Sequence, residues 1–182
     1  MRYAGASRSF AIRSRLVANA CKNLAVAYRK GEGVAPDKKR EAELTQRACE
    51  LGDTATCATH GVALIDGELV EQDVKRGVEL LDAACGKGQD EACTFLGQRY
   101  RDGKGLAKDD ARSLKYFVAA CDGGRLTSCI DAAKHLLDGS QKLRDVARGT
   151  RLLERACDGG NESACEIREK LVRTGRIKAR AK

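Results

Sequence analysis

The stretch "CTFLGQRYRDGKGLAKDDARSLKYFVAAC", residues 93–121, decides the fold of this chain. It begins and ends on cysteine, and the rest of the sequence repeats that frame. Cys49, Cys85, Cys121 and Cys157 are spaced by 36 residues. Cys57, Cys93, Cys129 and Cys165 share the spacing, each eight residues after a member of the first set. A fixed period of this length marks an array of stacked repeats. Units start at Cys21, Cys57, Cys93 and Cys129, and a partial fifth starts at Cys165.

Other columns recur in step. Ten residues after each starting cysteine stands a glycine: Gly31, Gly67, Gly103, Gly139 and Gly175. It is read as a helix end, where a positive φ is required and a Cβ unwelcome. Six residues further stands Asp37, Asp73, Asp109 or Asp145, an N-cap that accepts hydrogen bonds from the free N–H groups of the next helix. Each unit is therefore helix A, a turn of about six residues, helix B and a shorter turn. Columns 0, 3, 4 and 7 of helix A share one face, as in Cys93, Leu96, Gly97 and Tyr100. The small residues Ala25, Gly61, Gly97 and Ala133 let helix B come close, and Leu44, Leu80, Leu81, Phe117 and Leu153 are expected to fill the layer between units.

The cysteines follow from this frame. In "ACDGGNESAC", residues 156–165, Cys157 ends one B helix and Cys165 lies about a turn into the next A helix. A short antiparallel turn brings such positions within the roughly 5–6 Å that a disulfide needs. Repeat symmetry then predicts Cys49–Cys57, Cys85–Cys93, Cys121–Cys129 and Cys157–Cys165, each closing a loop of about nine residues. Structural zinc prefers closer cysteine spacings, and His60 and His135 occupy different columns, so neither a metal nor another cofactor is expected. Four copies of a thiol do not suggest a catalytic nucleophile. Cys21 has Arg13 where its partner would stand; it is expected to be free, intermolecular, or a small buried apolar residue.

Composition narrows the class. Aromatic residues make up 4% of the chain and there is no Trp, so burial relies on Ala, Leu, Val and Cys. The net charge of +8 is concentrated at the ends: residues 1–31 hold seven Lys/Arg, residues 170–182 hold six, and neither segment holds an acid. A basic excess suggests nucleic acid or an anionic membrane surface, but with a net acidic body the ends read first as solvated tails, and nucleic acid is not the expected partner. No run of about 18 apolar residues is present to span a bilayer. Repeated staples call for an oxidising compartment, periplasmic or secreted. Arg13 and Arg15 interrupt any apolar core of a leader in residues 1–21, which keeps a cytoplasmic, reduced chain as the alternative.

The pattern in residues 93–121 (Leu-Gly, then Tyr, then G-x-G, Asp and a closing Ala-rich helix) resembles one unit of the Sel-one-like repeat family. The cysteine pair eight apart is similar to that family's cysteine-rich branch, the Helicobacter cysteine-rich proteins. The resemblance implies an all-α, right-handed α-α superhelix, a tetratricopeptide-like solenoid of about four and a half 36-residue repeats stapled by local disulfides. It covers residues 14–174, between a basic extension (1–13) and a basic tail (175–182). Unit two departs from it at His60, Glu68 and Leu69, and unit four at Ala132, Ser140 and Gln141. Those turns are expected to be looser.

The resemblance implies a monomeric scaffold that holds a protein or peptide in a concave groove. By analogy with helical solenoids, Ala58, Val62 and Ile65, then Thr94, Gln98 and Arg101, then Ile130, Lys134 and Leu137 would line it. That mixture suits an extended or helical partner with apolar and acidic residues. The alternative carried by the resemblance is a β-lactamase-like hydrolase or penicillin-binding protein. The sequence holds no S-x-x-K, G-x-S-x-G or H-E-x-x-H, and no catalytic residue is assigned. His135 and Asp131, four apart on one helix, read as a surface pair.

Overall fold

A computed structural model of the chain describes residues 4–178, with side chains from residue 12 onward. Among them are nine α-helices and no strand. They fall into two compact units that divide after Gln89. The first holds α1 (Ala4–Lys30), α2 (Lys38–Glu50), α3 (Thr54–Asp66) and α4 (Val74–Gly86). The second holds α5 (Asp90–Asp102), α6 (Asp110–Asp122), α7 (Leu126–Asp138), α8 (Val146–Asp158) and α9 (Glu162–Arg173). Odd-numbered helices are helix A of a repeat and even-numbered ones helix B. Within each unit every helix packs on the next in sequence.

Capping explains why the helices keep these lengths. Asp73, Asp109 and Asp145 each accept the backbone N–H three residues on, at 2.9, 2.9 and 2.8 Å. Asp37 accepts from Lys39 and Arg40. Each cap residue's own N–H reaches back to helix A, to the carbonyls of Tyr28, Leu64, Tyr100 and Leu136, and so closes the hairpin. The glycine column behaves as expected at Gly31, Gly67, Gly103 and Gly175, with φ from 68° to 75°. Gly139 does not: its φ is −70° and ψ −177°, an extended exit. Unit four lacks the second glycine of G-x-G, and Ser140 accepts instead from the N–H groups of Leu143 and Arg144 to make a different turn. In unit two the amide of Gln72 donates to the Ile65 carbonyl at 2.8 Å, closing a turn in which Leu69 replaces that glycine.

The shorter B-to-A turns hold a second glycine column, at Gly52, Gly88, Gly124 and Gly160, with φ between 83° and 101°. The next residue's N–H bonds the carbonyl of Ala48, Ala84, Ala120 or Ala156. This tight bend places the cysteines side by side. Cys49–Cys57, Cys121–Cys129 and Cys157–Cys165 are bridged, with Cα–Cα distances of 4.4, 4.7 and 4.7 Å. Cys85 and Cys93 are also disulfide-bonded, and Cys21 is a free, half-buried thiol.

The core partly redraws the expected layer. Leu81, Phe117 and Leu153 are fully buried. Leu44 and Leu80 are only half-buried, and in unit one the matching buried position is Thr45. The described ends of the chain are ordered against their neighbours. Residues 4–13 of the basic extension are helical and continue into the first A helix as α1. After α9, Ile177 is buried in the core of the second unit, and Arg176 pairs with Asp138.

Candidate interaction surface

The helix pair is built from its closest approach outward. In the repeat that starts at Cys57, α3 and α4 cross at Gly61 and Gly77; a Cβ on Gly77 would stand 2.6 Å from the Gly61 carbonyl oxygen. In the second unit Ser113 takes the place of Gly77, fully buried, and its hydroxyl donates to the Gly97 carbonyl at 2.8 Å. A Cβ on Gly97 would meet the Phe117 ring at 2.8 Å, so the glycine makes room for that ring. Phe117 in turn supports two groups at the surface. The Arg101 guanidinium lies 5.5 Å from its centroid, and the His135 ring stacks 5.9 Å away. This crossing column (Gly77, Ser113, Gly149) was hidden in the sequence because its members differ in type and Glu41 interrupts it in unit one.

Around that platform α5 and α7 meet. Arg101 donates to Asp131 at 3.3 Å and to its neighbour Asp102 at 2.8 Å. Thr94 and Ser128 share a hydroxyl hydrogen bond at 3.1 Å, and Arg125 pairs with Glu91. Arg101, Asp131, Lys134, His135 and Asp138 then line a shallow cavity of about 250 Å³ that ends at Gly139. His135 does not pair with Asp131 as the spacing suggested; its Nε2 lies 3.0 Å from Ser113 Oγ, while Asp131 is held by Arg101. Because the serine proton goes to Gly97, Nε2 is the protonated nitrogen that donates to Oγ. Burial pushes the His135 pKa below its ordinary value, and Arg101 and Lys108 reinforce that against Asp110 and Asp131. The hydrogen bond to Asp102 holds the Arg101 pKa above its usual range, ahead of the opposing effect of burial.

The nine groove positions divide. Gln98 and Lys134 are exposed, and Ala58, Val62, Thr94 and Arg101 are half-buried. Ile65, Ile130 and Leu137 are core residues, 0%, 8% and 6% exposed, and do not form an open lining. The accessible edge of α7 runs through Asp131, Lys134, His135 and Asp138. The first unit has its own cleft of about 610 Å³ beside the Cys49–Cys57 bridge, with Glu50, Glu71 and Arg76 at its edge. His60, lining that cleft, is 9% exposed and its Nδ1 has no hydrogen-bond partner. Among the described residues no group of three or more His, Cys, Asp or Glu is placed to hold a metal ion.

Repeated A/B hairpins, each closed by an aspartate cap and joined at cysteine-bridged bends, define a helical-repeat protein of the solenoid class. The Sel1 repeat model matches residues 18–53, 58–89, 90–124 and 127–161. The chain belongs to the Sel1 repeat family.

Solved structures agree with the family. A protective antigen of uropathogenic Escherichia coli strains, displaying an SLR fold, superposes with a TM-score of 0.74 at 27% identity over 87% of this chain and 34% of that one. A Sel1 repeat protein from Oxalobacter formigenes gives 0.70 at 18% identity, over 87% and 65%. Helicobacter pylori cysteine-rich protein B gives 0.52 at 25% identity, over 72% and 95%. The chain thus spans about a third of the first structure's length and just under two thirds of the second's. No curated protein matches the chain at the sequence level.

Proposed function

We propose that the chain is a protein-interaction scaffold, and that the α5–α7 face of its second unit takes part in binding. One observation carries this reading: the surface charges there are set on a fully built platform. Phe117 is completely buried and supports both Arg101 and His135, and Ser113 fixes the His135 ring. Side chains held in this way lose little freedom when a partner docks. The exposed Lys134 favours an acidic residue, the Arg101 guanidinium can exchange its exposed contact with Asp102 for a partner's carboxylate, and the half-buried Thr94 and exposed Gln98 offer hydrogen bonds. The partner suited to this face is an extended or helical peptide segment with acidic and apolar residues.

The disulfides and the cysteine-rich Helicobacter relative support an extracytoplasmic site of action, periplasmic or secreted. The hydrolase alternative gains nothing from the geometry. Ser113, the hydroxyl bonded to His135, is completely buried and donates its proton to a backbone carbonyl, so it is not presented as a nucleophile.

Affinity capture from envelope extract, followed by titration of the recovered partner against purified variants, tests the reading. Lys134→Glu and Arg101→Glu are each expected to weaken binding about tenfold or more, as central charged contacts do. A partner whose affinity ignores both substitutions would place the interface elsewhere. Turnover of a chromogenic β-lactam that is lost on Ser113→Ala would overturn the scaffold reading.

A further inference from the structure

The longest helix carries a face that no part of the described chain covers. Ile12, Leu16, Val17 and Leu24 of α1 are 60%, 64%, 48% and 42% exposed, and they are the large apolar residues most open to solvent in the described chain. Positions 12, 16, 20 and 24 advance by about 40° per step around a helix, so Ile12, Leu16, Ala20 and Leu24 form one slanting row, with Val17 on its flank. Ala18 and Ala25, on the opposite side, are buried. The apolar row is therefore the side of α1 turned away from the rest of its unit.

Charge indicates what this face meets. Residues 1–31 contain seven Lys/Arg and no acid. Lys22, Arg29 and Lys30 are partnered by Asp53, Glu41 and Glu32. Arg13 and Arg15, either side of the row at Leu16, are exposed, and among the described residues neither pairs with a carboxylate. A second copy of the same helix would bring arginine against arginine. A protein helix would need a groove, whereas this face is the convex flank of a single helix. An apolar row bordered by uncompensated cations fits the headgroup boundary of an anionic lipid bilayer, where the aliphatic residues enter the acyl edge and the guanidinium groups meet phosphates.

We propose that α1 docks the molecule on anionic membrane surfaces through Ile12, Leu16, Val17 and Leu24, assisted by Arg13 and Arg15. The contact is peripheral, since no described helix is long and apolar enough to cross a membrane. It does not depend on the reading of the α5–α7 face.

Flotation of the purified chain with vesicles tests it, comparing phosphatidylcholine alone with phosphatidylcholine mixed with phosphatidylglycerol. The chain is expected to float with the anionic vesicles and not with the neutral ones, and to be released by high salt. Removing the charges by Arg13→Gln and Arg15→Gln is expected to cost about fivefold in partitioning for each. Leu16→Glu is expected to abolish flotation. These positions are exposed, so the variants keep their helical circular dichroism and melting temperature, which serves as the control for folding. Failure of the parent chain to float with anionic vesicles at low salt overturns the proposal, as does flotation that Leu16→Glu leaves intact. Dimerisation abolished by Leu16→Glu, with no vesicle binding, would assign the face to a second copy instead.

Discussion

Gly77 and His60 show how single side chains set the packing of the first unit. A methyl group at Gly77 has nowhere to go, because the Gly61 carbonyl oxygen and Ile65 would both lie under 3 Å away. Gly77→Ala should destabilise the chain by about 1–3 kcal/mol despite the better helix propensity of alanine. Chemical denaturation would read the loss, and an unchanged or raised midpoint would show that the two helices can separate freely. His60 occupies the column that holds Leu96 in the next repeat, without a partner for Nδ1. Burial lowers its pKa; Arg76 adds to the effect and Glu50 opposes it. A histidine depressed in the folded state binds a proton more readily when unfolded, so its penalty grows as pH falls below the unfolded value of about 6.5. His60→Leu should therefore stabilise by about 1 kcal/mol at neutral pH and flatten the loss of stability on acidification. Denaturation midpoints at pH 7 and pH 5 check both parts.

Much at this scale was legible because it recurs: a cap at Asp37, Asp73, Asp109 and Asp145 does the same thing in every hairpin. The failures came from positions one helical step apart. Leu44 and Thr45, or Leu80 and Leu81, differ by about 100° around the helix, and composition alone favoured leucine. Only the packed neighbour decides that Thr45 and Leu81 turn inward. Among the groove positions Ile65, Ile130 and Leu137 are buried, while Gln98 and Lys134 are exposed, and only the packed structure separates them. The Ser113–His135 bond joins residues 22 apart on different repeats, and no spacing rule links them.

The two kinds of bend between the helices are built differently. The A-to-B turn is well formed where both glycines are present, as at Gly103 and Gly105, and is rebuilt around Gln72 or Ser140 where one is missing. The B-to-A bends carry the covalent staples. Closing a loop of about nine residues is worth roughly 2–3 kcal/mol through the unfolded state. Cys121→Ala with Cys129→Ala should lower stability by about that amount plus the packing lost at two buried sulfurs. A thermal melt compared with the parent chain checks it. A drop under half a kcal/mol would mean that the helices hold the bend without the bridge. The charge excess at the N-terminus was legible in the sequence, and the described part of it falls on α1, which begins at Ala4.

For the whole molecule, the repeat period defines the class, and the Sel1 match over four repeats agrees with it. The partner stays outside what a repeat pattern encodes. Solenoid columns specify stacking, yet one column can hold a buried residue in one repeat and a more accessible one in another, as Ile65 and Leu137 do beside the half-buried Arg101. Arg101 and Lys134 stand at accessible places in such columns, which is why substitutions there test the proposed interface.

The most direct test of the account is disulfide mapping of the unreduced protein by mass spectrometry after proteolysis. Each bridged cysteine should be linked to the one eight residues away in sequence, with Cys21 alone taking up an alkylating reagent. Bridges that skip between repeats, or alkylation of all nine cysteines in protein recovered under non-reducing conditions, would contradict a scaffold built from locally stapled hairpins.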